Sequence, residues 1–255
     1  MAGMSDFEFD LDAAPGYLSP SLKMGWAKHH LRALDEEIGK FLKSEPYTIS
    51  TQDDLEAGEH VLHFKIGAVP IRPHLMVGDF ASCLRASLDH LASALTLAPG
   101  GVPNDSASFP VIGVDNSDGR TQFKKAVIGI RKEAVDVIKA LQPYHHGDAY
   151  KATKLWRLHR LWNIDKHRRI PVYGVSVQVP LICPVEMSPV TSRTDDGEVM
   201  RFPLAAKGHI HLQPPVKLDV YCGDASEGIA IPLRELIEIH DFIAKEVFPR
   251  FRCFF

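Results

Sequence analysis

The sequence predicts an α+β fold, namely a bundle of long helices that carries an antiparallel β-sheet inserted before the C-terminal helix. Apolar residues recur every three or four positions up to about residue 168, which is typical of amphipathic helices that share a core. From Ile170 apolar and polar residues alternate instead, as in strands with one buried face. The order helix, hairpin, helices, sheet, helix differs from the βαβ repeat of parallel-sheet proteins.

Most of the predicted elements begin and end at recognisable signals. Ser19 and Pro20 are typical of a helix start, so the first helix is expected to run from there to about Ser44. The second begins at Pro73 and ends near Ala98, before a Pro-Gly-Gly stop. Further helices are predicted at 118–129, 131–141, 148–168 and 232–247. A hairpin is predicted within 47–66, and further strands at 172–179, 199–204, 209–213 and 217–222.

The domain organisation follows from the same patterns. We expect residues 1–19 to form a flexible N-terminal arm and residues 20–255 a single α+β domain. The predicted helical core covers 20–169 and 232–250, and the β-rich part covers 170–231. The last five residues, Phe251–Phe255, contain three Phe and dock either into the core or onto a second subunit. An exposed apolar tail often marks an interface, which favours a homodimer.

Composition excludes several classes of protein. The net charge of −3 gives no overall attraction to long nucleic acid, although it leaves room for a local basic patch. The four cysteines are scattered and form no C-x-x-C pair, as is usual for reduced thiols in the cytoplasm. The N-terminus lacks the features of a signal peptide, and no apolar stretch approaches the roughly 18 residues of a membrane span. The sequence therefore predicts a cytoplasmic protein with no membrane partner.

The second predicted helix carries a polar group of three residues, Arg85, Asp89 and His90. Arg85 and Asp89 are one helical turn apart beside the apolar stripe and can pair, whereas His90 and Asp79 lie on the far side of the helix. One interpretation is structural: a surface or half-buried ion pair with a histidine that faces solvent.

The spacing Arg85-x4-His90 resembles the Arg-x4–6-His signature of HEPN-type ribonucleases. The resemblance implies a helical protein, usually a dimer, that cleaves RNA without a metal. Arg85 would then stabilise the charged transition state and His90 would move protons, with Asp89 completing the catalytic set. The sequence departs from the family at Ala86, where a polar residue is usual, and in placing the motif on the second helix.

The fifth predicted helix has polar residues on and beside its apolar face, which contains Leu158 and Trp162. A buried Lys or His needs a partner, and the second helix offers Arg85, Asp89 or Asp79. One interpretation is a structural network that fixes helix register. Another is a site in which these residues support catalysis or bind phosphate. The supporting set is His159, Asn163, Asp165, Lys166, His167 and Arg168.

Two motifs, Arg85-x3-Asp-His-Leu and Asn163-x-Asp-Lys-His-Arg, also resemble those of an uncharacterised family of bacterial proteins. That resemblance spans residues 70–170 and implies a shared fold without an activity.

Three functions remain open at this point. The first is metal-independent cleavage or binding of RNA by a HEPN-like protein. The second is a non-enzymatic module that binds a ligand or protein through its β-rich part, with a structural helix network. The third is a metal-dependent hydrolase, for which His209 and His211 share one strand face. No cofactor and no metal ligand set is predicted, because the chain lacks a Walker loop, a G-x-G-x-x-G loop and an H-E-x-x-H helix.

Overall fold

A computed structural model describes residues 15–67, 70–103, 107–167, 172–178, 181–182, 189–194, 197–212, 217–224 and 228–255. The helices are α1 (Pro15–Lys43), α2 (Arg72–Leu97), α3 (Ser117–Ala126), α4 (Lys132–Ala140), α5 (Lys154–His167) and α6 (Leu233–Phe242). A 3-10 segment, Pro143–Ala152, precedes α5, and another, Leu204–His209, follows the sixth strand. After α6 the chain continues through a π-helical turn, Ile243–Val247, and a 3-10 segment, Phe248–Phe254.

The strands are β1 (Tyr47–Asp54), β2 (Glu59–Ile66), β3 (Val172–Gln178), β4 (Leu181–Ile182), β5 (Val190–Thr194), β6 (Gly197–Pro203), β7 (His211–Leu212), β8 (Lys217–Asp224) and β9 (Ile229–Pro232). They form a four-stranded sheet of order β1-β2-β6-β5, a three-stranded sheet of order β3-β8-β9 and the pair β4-β7. The pairings of β1 with β2, β2 with β6, β5 with β6 and β4 with β7 are all antiparallel. The predicted α+β class is therefore confirmed.

The chain divides into two compact units. The helical unit consists of Met1–Asp35, Arg72–Tyr173 and Cys222–Phe255. The β-rich unit consists of Glu36–Ile71 and Gly174–Tyr221. No helix within the described residues combines the length and the apolar composition that crossing a bilayer requires.

The core of the helical unit is formed by the apolar stripe of α2. Helical spacing in the sequence predicts this stripe, and all six of its residues are buried, namely Val77, Phe80, Leu84, Leu88, Leu91 and Leu95. Helix α5 adds Leu155, Leu158, Leu161 and Ile164, of which the last two were not predicted. Burying each large apolar side chain stabilises the fold by roughly 1.5–3 kcal/mol, so α2 and α5 fix the frame on which the polar side chains are held.

The C-terminal segment packs into this core. Phe251 is fully buried, and its ring meets Phe109 edge-on at 6.4 Å between centroids. The ring centroid of Tyr17 on α1 lies 5.6 Å from that of Phe248 and 5.5 Å from that of Phe255. Of the two alternatives left open for this segment, the structure supports docking into the core, so the segment gives no argument for a homodimer.

In the β-rich unit, the N-terminal hairpin and a later strand belong to one sheet. Strand β2 pairs with β1 from Tyr47↔Ile66 to Asp54↔Glu59, and with β6 on its other edge. The core of this sheet contains Leu62, Phe202 and Ala206. The sequence predicts a hairpin turn at Asp195-Asp196-Gly197, of which residues 195–196 lie outside the described residues.

The first and the fifth predicted helices have different bounds in the structure. Helix α1 begins at Pro15 rather than Ser19, so part of the predicted arm is helical, while residues 1–14 lie outside the described residues. The single helix predicted for 148–168 is a 3-10 segment followed by α5. Gly147 has φ of 53° and interrupts the first segment, and extended Thr153 separates the two. The Thr153 hydroxyl accepts the Trp156 amide N–H at 3.4 Å, so it caps α5.

A close contact at Gly78 gives the first testable prediction. A Cβ at Gly78 would overlap the carboxyl group of Asp165, whose Cγ is 2.8 Å away, so that side chain must move and Gly78→Ala is expected to be less stable than Gly39→Ala by about 1 kcal/mol. Gly39→Ala is the matched control, because a Cβ at helical Gly39 meets no atom within 4 Å. Replacing glycine in an open helical position stabilises a protein by about 0.5–1 kcal/mol. Urea denaturation measures both, and equal effects would contradict this packing of α2 on α5.

Candidate functional site

Arg85 is a buried charge with only part of its hydrogen-bonding capacity used. It projects from the core face of α2 and is 4% exposed. Its Nη2 donates to Oδ1 of Asp89 at 2.8 Å and to the carbonyl oxygen of Phe109 at 2.6 Å. Its Nε and Nη1 are buried and have no acceptor among the described residues. Two donor nitrogens of a fixed positive charge thus have no partner among the described residues.

Asp89 joins this arginine to the loop at Phe109. Its Oδ1 accepts the Phe109 amide N–H at 2.9 Å, so the backbone of Phe109 is bonded to both members of the ion pair. Burial raises the pKa of Asp89, whereas the Arg85 charge and the Phe109 N–H act in the opposite direction. The predicted pairing of Arg85 with Asp89 is present, and the role of the Phe109 backbone was not predicted.

A second polar anchor holds the other end of the same loop. The Gln142 side chain is buried, and its Oε1 accepts the Ile112 amide N–H at 2.9 Å. Its Nε2 donates to the carbonyl oxygens of Pro110 and Ile138, each at 3.0 Å. Sequence reasoning missed Gln142, because a single Gln before a proline gives no pattern. These bonds hold residues 109–112 in place beside Arg85.

His159 of α5 lies beside Arg85 and is held neutral. Asn163 Nδ2 is 3.0 Å from His159 Nε2. An amide N–H donates, so Nε2 accepts this bond and the ring proton lies on Nδ1. Nδ1 is buried and has no partner among the described residues. Burial, together with the nearby charges of Arg85 and Arg160, lowers the pKa of His159 to about 4.

Arg85 and His159 both line a pocket of about 290 Å³. The other residues at its wall come from the anchored loop and from α3: Ser108, Phe109, Pro110, Val111, Ile112, Gln122, Lys125 and Ala126. We call this cavity the Arg85 pocket. Its wall combines a buried cation and a neutral imidazole, each with N–H donors that have no acceptor in the described part of the chain, and an exposed lysine on α3. Such a lining can bind the oxygens of a phosphate or a carboxylate.

Two further predicted site residues, His90 and Asp165, each contact a different part of the helical unit. His90 Nδ1 lies 2.7 Å from Oγ of Ser19, on the side of α2 that faces α1, so the structure does not bring it together with Arg85. Asp165 packs on Gly78 and accepts a bond from Ser82 Oγ at 3.4 Å. Burial raises the pKa of Asp165.

The Trp162 ring on α5 contacts both the guanidinium of Arg85 and the exposed Lys166. Lys166 Nζ is 4.6 Å from its ring centroid and Arg85 Cζ is 5.5 Å from it. Both cations therefore gain from the indole face. The side chain of His167 and the whole of Arg168 lie outside the described residues, so their predicted supporting roles stay predictions.

No group of three or more His, Cys, Asp or Glu side chains suited to a metal ion occurs among the residues that the structure describes. Comparison of the chain with protein-family models, curated proteins and solved structures found no match. The interpretation of the Arg85 pocket therefore depends on its geometry and chemistry.

The lowered pKa of His159 predicts a pH-dependent stability. The ring binds its proton with a pKa of about 4 when folded and about 6.5 when unfolded. Lowering the pH through this window protonates the unfolded chain first, so stability is lost as the pH falls from 6.5 to 4. The His159 contribution to this loss at pH 5 is about 2 kcal/mol.

Urea denaturation at pH 8 and pH 5 measures this loss. His159→Gln is expected to lose less stability between the two pH values than the wild type. His146→Gln removes an exposed imidazole and serves as the matched control. An unchanged pH dependence in His159→Gln would contradict the buried, neutral state of this histidine.

Proposed function

We propose that the protein binds a ligand through an oxyanion, a phosphate group, that occupies the Arg85 pocket. The observation that carries this proposal is the buried guanidinium of Arg85, which lines the pocket and has two donor nitrogens without a partner among the described residues. A buried donor without a partner costs about 1–3 kcal/mol. A phosphate oxygen in the pocket would remove that penalty and would form charge-assisted bonds.

His159 supports the same ligand chemistry. With Nε2 bonded to Asn163, its Nδ1–H is a third donor without a partner among the described residues. The charges of Arg85 and Arg160 disfavour the protonated ring, and a bound phosphate would offset them. Phosphate binding is therefore expected to raise the pKa of His159 and to be accompanied by proton uptake near pH 5–6.

The surrounding charges favour an anion over a cation. Asp89 is already bonded to Arg85 and to Phe109, so its carboxylate is engaged. Lys125 brings a further positive charge to the wall of the pocket.

The cysteines of the described residues, Cys83, Cys222 and Cys253, are free thiols, as suits the reducing cytoplasm that we propose as the location.

Calorimetric titration with inorganic phosphate and a phosphate monoester tests the binding. Arg85→Lys keeps the charge but removes the fixed guanidinium, and should weaken binding by tenfold or more, about 1.4 kcal/mol. Lys125→Gln should weaken it by a few-fold. Lys124→Gln is the matched control, because this neighbouring lysine of α3 lines a different cavity. Equal binding by wild type and Arg85→Lys, with both folded, would contradict the proposal.

A second candidate function is metal-independent cleavage of RNA, which the resemblance to HEPN-type ribonucleases implies. The observation that favours it is the pairing of a buried Arg with a neutral His at one pocket. Arg85 would stabilise the charge of the transition state, and His159 would carry the proton in place of His90. The neutral imidazole accepts a proton only at Nε2, so this candidate requires that nitrogen to leave its bond with Asn163. The homodimer and the RNA partner that the resemblance implies remain part of this candidate.

RNA cleavage in EDTA distinguishes the two histidines. This candidate predicts that the wild type cleaves RNA and that His159→Gln does not. His90→Gln, a matched change on α2, should retain cleavage. Loss in His90→Gln alone would instead support the pair predicted from the sequence. Cleavage by neither wild type nor variants, together with phosphate binding, would leave the protein as a binding module.

A further inference from the structure

A second cavity, of about 690 Å³, lies in the helical unit. It is lined by the face of α3 that carries Phe123, by the face of α4 that carries Val135, and by the start of the next 3-10 segment at Tyr144. We call it the Tyr144 cavity. Its volume is within the usual range of small-molecule sites, about 300–1,000 Å³. Of its lining residues in the described part of the chain, Ile112 alone also lines the Arg85 pocket.

The aromatic part of the wall is held in place by its neighbours. The Tyr144 amide N–H donates to the carbonyl oxygen of Ile112 at 3.2 Å, and the rings of Tyr144 and His145 have centroids 4.4 Å apart. His145 Nε2–H donates to the carbonyl oxygen of Lys139 at 3.0 Å, which fixes that ring on the end of α4. Burial raises the pKa of Tyr144, and the charge of Asp115 raises it further, so the phenol stays neutral at pH 7.

The α3 side of the wall is fixed as well. The Asn116 side chain caps α3 by accepting the Gly119 amide N–H at 2.8 Å. A Cβ at Gly119 would lie 2.6 Å from the carbonyl oxygen of Val114, so the first turn of α3 packs directly on the preceding loop. Phe123 follows one helical turn later and is half-buried at the cavity. The cavity therefore offers a positioned apolar surface.

The charged part of the wall carries both signs. Lys124 of α3 and Lys139 of α4 are exposed cations, and Asp136 of α4 is an exposed anion. These three side chains form no ion pair with any residue that the structure describes. Arg120 and Asp115 also line the cavity, and they offset each other because their Nε and Oδ1 atoms are 3.4 Å apart. A ligand in the cavity thus meets two lysines and one carboxylate.

We propose that the Tyr144 cavity binds a zwitterion with an apolar side chain, as in a free α-amino acid. The ligand carboxylate would pair with Lys124 or Lys139, and its ammonium group would pair with Asp136. Its side chain would pack on Phe123 and Tyr144. A purely anionic ligand would leave Asp136 without a counter-charge, and a purely cationic ligand would leave both lysines without one.

Calorimetric titration with leucine, methionine, phenylalanine and tryptophan tests this proposal. At least one should bind about tenfold more tightly than alanine, because the apolar surface recognises its side chain. The same amino acid should bind about tenfold more tightly than its analogue without the amino group and than its analogue without the carboxylate, since each analogue loses one ion pair.

Two variants separate the charges of the wall. Asp136→Asn should weaken amino-acid binding about tenfold without weakening binding of the analogue that lacks the amino group. The double variant Lys124→Gln, Lys139→Gln should weaken amino-acid binding by a similar factor without weakening binding of the analogue that lacks the carboxylate. Glu133→Gln and Lys132→Gln are the matched controls, because both residues are exposed on α4 and lie outside the cavity wall.

Arg85→Lys should retain amino-acid binding, so that a failure of the Arg85 pocket is distinguishable from a failure here. Three results would overturn the proposal. The first is absence of binding by all four amino acids at millimolar concentration. The second is an analogue that binds as tightly as the amino acid itself. The third is equal affinity of the wild type and Asp136→Asn for the amino acid.

Discussion

Arg85 brings a full positive charge into the core of the helical unit, where Asp89 and the carbonyl of Phe109 partner one of its nitrogens. Its guanidinium also lies near the ring of Trp162 on α5. One side chain thereby joins α2, the loop at 109 and the fifth helix. The carbonyl of Phe109 and the ring of Trp162 both lie against this guanidinium, so the environment of Arg85 depends on the positions of the loop and of α5.

The same charge determines the chemistry of its surroundings. It disfavours protonation of His159, whose pKa burial has already lowered, and it opposes the rise in the pKa of Asp89. The structure thus holds a cation, a neutral imidazole and an engaged carboxylate within one network. Two donors of Arg85 and one nitrogen of His159 stay without partners among the described residues. An oxyanion meets this demand, which links the stability of the site to occupancy by a ligand.

Periodicity predicted what depends on local spacing. The stripe of α2 and the pair Arg85–Asp89 follow from helical geometry and are present. Contacts between distant segments were predicted only in part. The Phe109 backbone is 20 residues from Asp89 in sequence and was not predicted, whereas a partner on the second helix was expected for the fifth, and Arg85 and His159 line one pocket. His90, which the motif favoured, faces Ser19 of α1 instead. Burial of Phe251 likewise depends on tertiary packing.

The most direct measurement of the central claim is the side-chain NMR spectrum of Arg85 as phosphate is added. Its buried Nε–H should give a resolved signal, identified by its loss in Arg85→Lys. We expect phosphate to shift this signal and that of the His159 ring nitrogens together, with one dissociation constant. A titration in which phosphate shifts exposed lysines while both of these signals stay unchanged would contradict the account.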